Sequence, residues 1–158
     1  MEKLKKTPEK YREEAENYFL EGFNCAQAVF ITFAEELGLD RETALKISSS
    51  FGGGMGRLRE VCGAVSGMFM VLGMRYGYTS PDADGEKMEH YRKVQELAGK
   101  FREENGAIVC RELLSLKISG ADSHIPSTRT PEYYKKRPCA RLVGDAAYLT
   151  AKFIEENG

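Results

Sequence analysis

Apolar side chains recur at spacings of three and four along almost the whole chain, and no run of β-branched residues alternates with polar ones. That is the period an α-helix needs to bury one face. The expected fold is therefore all-α, a compact bundle of about six to seven helices around a central apolar helix rich in small residues. Residues 1–158 read as a single domain. A chain of 158 residues buries roughly 70% of the surface its unfolded form exposes, so it needs neither disulfides nor a metal merely to stay folded.

Local signals place the helices. Thr7-Pro8-Glu9 supplies an N-cap, a proline at the first helical position and an acid in the first turn of a helix ending near Gly22, with Tyr11, Ala15, Tyr18 and Phe19 on its buried face. Asn24 caps a second helix that runs to about Leu37 and stops at Gly38, which makes Cys25 its first residue. Asp40 caps a short third helix carrying Ala44, Leu45 and Ile47. Four glycines in the five positions from Gly52 to Gly56 then form a loop. From about Arg59 to Tyr76 the sequence is apolar on all sides, the pattern of a helix enclosed by neighbours. Within it, Gly63 and Gly67 let another helix backbone come close, a steric demand that offsets a cost of up to about 1 kcal/mol per glycine.

Ser80-Pro81-Asp82 opens an amphipathic helix to about Asn105, with Met88, Tyr91, Val94, Leu97 or Ala98, and Phe101 as its stripe. A shorter helix spans about Cys110 to Leu116. The polar stretch Ser119 to Thr130, with His124 and Pro126, is a surface loop and a candidate lid. The last helix starts around Arg137-Pro138-Cys139.

Charge narrows the partners. With 23 basic and 24 acidic residues the formal net charge is -1, which gives no field for gathering nucleic acid or anionic lipid. The charged stretch Met1 to Arg12 lacks the apolar core of a signal peptide, so the chain is expected to be cytoplasmic. The longest apolar run, Val61 to Met74, is too short to cross a bilayer, so no membrane insertion is expected.

In a reducing compartment four cysteines point to metal binding or redox chemistry rather than to disulfides. Cys25, Cys62, Cys110 and Cys139 each fall within about the first turn of a different helix. A helix N-terminus offers unpaired N–H groups and positive potential, both of which favour thiolate. Four such thiolates can converge on one point in a bundle, although spacing alone does not require it, and a free cysteine is equally at home as a small buried hydrophobe. No CxxC pair exists, which removes the thioredoxin-like signature and the paired knuckles of most structural zinc sites.

The stretch Gly22-Phe23-Asn24-Cys25-Ala26-Gln27-Ala28, the Gly-rich segment Phe51 to Arg57 leading into Cys62-Gly63-Ala64-Val65-Ser66-Gly67, and Cys110 and Cys139 in order together resemble the C-GCAxxG-C-C proteins. These are small bacterial and archaeal proteins described as redox-active and named for their four cysteines. The resemblance covers most of the chain. The family label spells Gly-Cys-Ala where this chain has Cys62-Gly63-Ala64. The resemblance implies an all-α domain with a redox role and a cysteine-lined centre at Cys25, Cys62, Cys110 and Cys139. The family is also similar to a domain of certain multihaem cytochromes in which cysteines hold an iron-sulfur centre. This chain has no CxxCH motif, so a haem function does not carry over.

The Gly-rich loop fits neither phosphate-binding fingerprint: it lacks the terminal Gly-Lys-Ser/Thr, and no strand precedes it. Gly53, Gly54, Gly56 and Gly63 are instead expected to let the backbone approach the cysteines and donate N–H groups to sulfur, with Arg57 and Arg59 offsetting thiolate charge. Met55 is a candidate to border the site. His90 and His124 read as solvated residues. The leading expectation is a redox-active protein whose four cysteines bind an iron-sulfur cluster for electron transfer or redox sensing, together with a redox partner protein. A metal-free thiol-disulfide oxidoreductase using a cysteine pair and a structural zinc protein using all four cysteines stand as alternatives. The sequence leaves a homo-oligomer open.

Overall fold

The computed structural model describes residues 3–158, and its regular elements are helices. Helix α1 (Pro8–Leu20) begins as its sequence dictates. The Thr7 hydroxyl accepts from the Lys10 N–H, and Pro8 occupies the first turn, where a missing N–H costs nothing. Helix α2 (Cys25–Ala34) opens on a capping box in which Asn24 and Gln27 each bond the other's backbone N–H. Its regular turns end at Ala34, and a tightened turn carries the chain to Leu37. There the Leu39 N–H reaches the Ala34 carbonyl and the Gly38 N–H that of Glu35. This Schellman closure needs the left-handed φ of +89° at Gly38.

Helix α3 (Arg41–Ser48) is capped by Asp40 and buries Ala44, whereas Ile47 is exposed. Helix α4 (Gly63–Tyr76) begins at Gly63 rather than near Arg59. Residues 60–62 are drawn out of the helix by another segment: Val61 bridges Val109, the Cys62 N–H donates to Ile108 and the Cys110 N–H to Glu60. Enclosure on every face also holds only for the first half of α4, since Gly73 and Met74 face solvent.

Helix α5 (Asp84–Asn105) begins after Ser80-Pro81-Asp82 rather than on it, with Ala83 at its N-cap and no side-chain cap, and it corrects the expected stripe. Leu97, Ala98 and Phe101 are buried, but Met88 and Tyr91 are exposed. Tyr78, in the connection before α5, is what flanks Tyr91, ring against ring at 6.2 Å. Helix α6 (Cys110–Leu113) stops short of Leu116, with Ser115 at a φ of +55°. Apolar periodicity marks no element over 131–136, yet Thr130 caps a helix there, α7 (Pro131–Lys136), with Pro131 in its first turn. Helix α8 (Cys139–Asn157) closes the fold.

Packing follows the buried stripes. Helix α1 lies along α8 and α2 along α4, α5 rests on α4 and α8, and α3 leans on α2. Tyr11 stacks on Phe33 with centroids 4.5 Å apart, and its hydroxyl donates to Glu36 at the edge of the core. Phe19, Phe33, Phe101 and Phe153 are almost fully enclosed, each contributing about 1.5–3 kcal/mol by leaving water. At Gly67 a β-carbon would lie 2.8 Å from that of Val29 and 3.1 Å from the Ala26 carbonyl oxygen. Only a bare α-carbon lets α2 and α4 come this close. Among the described residues no helix is long and apolar enough to cross a membrane.

Candidate redox site

All four cysteines stand where a helix begins. Cys25, Cys110 and Cys139 are the first residues of α2, α6 and α8, and Cys62 immediately precedes α4. Because these helices start at the same end of the bundle, the four side chains line one cavity of about 300 Å³. All are free thiols, three buried and Cys25 half-buried. The sulfurs sense one another throughout: Cys25 interacts with each of the other three, Cys62 with Cys110 and Cys139, and Cys110 with Cys139. Cys25 and Cys139 are each the strongest influence on the other's proton affinity. Among the described residues no three His, Cys, Asp or Glu side chains are grouped tightly enough to clasp a single ion.

Two glycines make room for this convergence. A β-carbon on Gly63 would lie 3.0 Å from that of Cys25 and 2.9 Å from the Phe51 carbonyl oxygen. One on Gly54 would lie 2.6 Å from that of Cys110. Gly54 sits in a turn of left-handed helix, with φ of +68°, +70°, +70°, +59° and +67° at Gly53, Gly54, Met55, Gly56 and Arg57. The Gly56 N–H closes that turn on the Gly52 carbonyl at 2.9 Å. Left-handed backbone costs an L-residue about 1–2 kcal/mol, which glycine escapes and Met55, Arg57 and Arg59 do not. Loop is thus the right class for this segment, but it is a loop with one defined conformation.

The left-handed turn delivers two arginines. Arg59 is almost fully buried, and its Nη1 lies 3.6 Å from the Cys110 sulfur. Its Nε and Nη2 hold the Asp122 carboxylate at 3.1 and 2.9 Å. Arg57 pairs with the same carboxylate at 3.2 Å and donates to the Ser123 carbonyl. The 119–130 loop is therefore tied down over the cavity, and His124, Pro126 and Ser127 form part of its lining. Farther along, Arg129 donates to the Phe19 and Phe23 carbonyls at 2.9 and 3.0 Å.

These surroundings divide the thiols. The influence of Cys25 brings Cys139 down to about 7, helped by Arg137, Arg129 and Arg59 against the opposing effect of burial. Cys25 moves the other way, raised by Cys139 and by its burial. Burial pushes Cys62 up to about 12 despite hydrogen bonds from the Ala64 and Val65 N–H groups at the start of α4. Burial also raises Cys110, opposed by Arg59.

The residues singled out from sequence fall around this cavity: the four cysteines, Gly53, Gly54, Gly56, Arg57 and Gly63 all line it. Crowding explains Gly54 and Gly63, whereas a β-carbon on Gly56 would meet only the Ser50 carbonyl oxygen at an ordinary 3.7 Å, so glycine is needed there for its φ of +59° alone. Met55 does not line the cavity. His124 reaches its rim, and His90 instead lies edge-on to Tyr78. Sequence reasoning missed Arg129, Tyr133 and Arg137, which also line it, and Asp122, which anchors the lid. The available signal was the position of Arg137 two residues before Cys139.

No curated protein and no solved structure matches the chain. One family model does, over residues 23–153, a span that holds all four cysteines and the left-handed turn. The chain therefore belongs to the family described as "Putative redox-active protein (C_GCAxxG_C_C)".

Proposed function

We propose that the redox activity resides in the four-cysteine cavity and that Cys25, Cys62, Cys110 and Cys139 hold an iron-sulfur cluster. The observation that carries this reading is that all four cysteines line one cavity and their sulfurs influence one another there. A multi-atom core spans such thiols, whereas bare zinc needs its sulfurs about 2.3 Å from one centre. When bound, the cluster would supply one-electron transfer to a partner protein. The chain's own contribution is electrostatic. Arg59 beside Cys110, and Arg129 and Arg137 facing Cys139, favour the thiolate forms that ligation requires. The N–H groups of Ala64 and Val65 do the same for Cys62.

A second reading rests on the pairing of Cys25 and Cys139, which line the same cavity and influence each other most strongly. The Cys139 thiolate attacks a partner disulfide and expels one partner thiolate, the Cys25 sulfur then displaces the other to form a Cys25–Cys139 disulfide, and the partner leaves with the electron pair, one proton from Cys25 and a second from water. Anaerobic purification followed by a visible spectrum and assays for iron, acid-labile sulfide and zinc separates the two. Broad visible absorption with iron and sulfide supports the cluster. A colourless, metal-free protein that also resists reconstitution with iron and sulfide overturns it in favour of the pair.

A further inference from the structure

Positive charge is plentiful in the cavity, and the side chain of one of its arginines makes no hydrogen bond or ion pair among the described residues. Four arginines line it, Arg57, Arg59, Arg129 and Arg137, and no aspartate or glutamate is among its lining residues. Arg57 and Arg59 are paired with Asp122. Arg129 spends its terminal nitrogens on two backbone carbonyls. Arg137 differs. Among the described residues no hydrogen bond or ion pair engages its side chain, which instead lies over the face of Tyr133 at 5.5 Å. The same ring carries the Arg129 guanidinium at 5.3 Å.

Two guanidinium groups therefore lie over one aromatic ring, and one of them keeps all its donors uncommitted. Arg137 is half-buried, so those donors have lost part of their water. A half-desolvated guanidinium with a free fork matches a carboxylate or a tetrahedral oxyanion, which accepts two parallel N–H bonds. Ser127 and His124, both from the 119–130 loop, also line the cavity and carry side-chain donors.

We propose that this side of the cavity is a binding site for a small anion, a carboxylate or oxyanion, anchored by Arg137 beside Cys139 with Arg129 adding charge. The site goes beyond the redox reading and holds for either form of it, because the anchor is a side chain that no sulfur hydrogen-bonds. It places an anionic ligand next to the redox sulfurs, as a substrate to be reduced or as an effector of the centre.

The test is calorimetric titration of the anaerobically purified full chain with sodium acetate and, separately, sodium sulfate at constant ionic strength. Saturable binding at one site per chain is expected. Affinity falls at least tenfold in Arg137→Gln, is partly restored in Arg137→Lys, which keeps the charge without the fork, and is unchanged in Arg141→Gln on the outer surface. Circular dichroism checks each variant. If Arg137→Gln does not fold, weaker binding by a folded Arg137→Lys supports the site, and wild-type binding by it overturns the proposal. Absence of saturable binding, or equal binding by wild type and Arg137→Gln, overturns it too. So does binding that vanishes whenever iron and sulfide are loaded, because the arginines would then serve only to balance the centre's charge.

Discussion

A β-carbon placed on Gly54 would lie 2.6 Å from the β-carbon of Cys110. The left-handed turn and the third cysteine thus touch through an atom that is missing, and the position of Cys110 depends on glycine at 54. Gly54→Ala puts a methyl group there and also against the Arg59 α-carbon at 2.8 Å, on a backbone with a φ of +70°. Overpacking and a left-handed alanine together cost roughly 2–4 kcal/mol. Urea denaturation is expected to report that loss. An unchanged midpoint would mean that the turn and α6 are not in contact.

Opposite signs are expected at two helical glycines. Gly63→Ala gains helix propensity but drives a methyl group to 3.0 Å from the Cys25 β-carbon and 2.9 Å from the Phe51 carbonyl oxygen, so the variant loses stability. Gly99→Ala in α5 meets open space and gains about 0.5–1 kcal/mol. Thermal unfolding of the pair checks both. A stabilised Gly63→Ala would contradict the close approach of α2 and α4.

Arg59 joins Cys110 to the lid through one guanidinium. Arg59→Met removes the support for the Asp122 carboxylate, so the 119–130 loop detaches before the helices unfold. Limited proteolysis is expected to cut within that loop at least several-fold faster than in wild type, while far-ultraviolet circular dichroism stays unchanged. Cleavage at the wild-type rate would show that Arg57 and Arg129 are sufficient to hold the loop.

The same latch makes the lid sensitive to acid. The Ser123 N–H and the Arg59 side chain hold the Asp122 carboxyl below the usual carboxylate range. A depressed folded pKa stabilises the closed loop above the unfolded value, and that contribution is lost as pH falls through the folded value. Amide exchange in 119–130 should therefore be slow at neutral pH and relatively faster under strongly acidic conditions, after correction for intrinsic rates. Asp122→Asn should abolish this dependence. A wild-type pH profile in that variant would assign the latch elsewhere.

Cys62→Ser separates centre from fold. The side chain is buried beside α4, yet the surrounding core is built from helices that pack without it, and the exchange of sulfur for oxygen costs on the order of 1–2 kcal/mol. Helical content is expected to persist while iron, sulfide and visible absorption are lost. Complete unfolding would instead make the four cysteines a structural site.

Several helix boundaries were legible in the sequence, although the Ser80-Pro81-Asp82 signal lies ahead of the helix that starts at Asp84. Thr7-Pro8, Asn24 and Asp40 start helices where those residues predict, and Gly38 ends one, because caps act through atoms within a few positions along the chain. The helical class followed from periodicity, and the small residues of α4 announced a close neighbour. Thr130-Pro131-Glu132 carries the same starting signal as Thr7-Pro8-Glu9, but the polar stretch before it masks the short helix it opens. The remainder belongs to tertiary structure. Residues 60–62 leave the helix because Val61 finds Val109, far along the chain. The outer half of the α5 stripe is exposed because no helix covers it. Helix starts can be read one at a time, but their meeting at a single cavity is set by how the helices pack. Arg57 and Arg59 could be read as partners of the cysteines and Arg137 lies two residues before Cys139, but Arg129 from the lid reaches them only through that packing, so its part in the charge of the site had no signature along the chain.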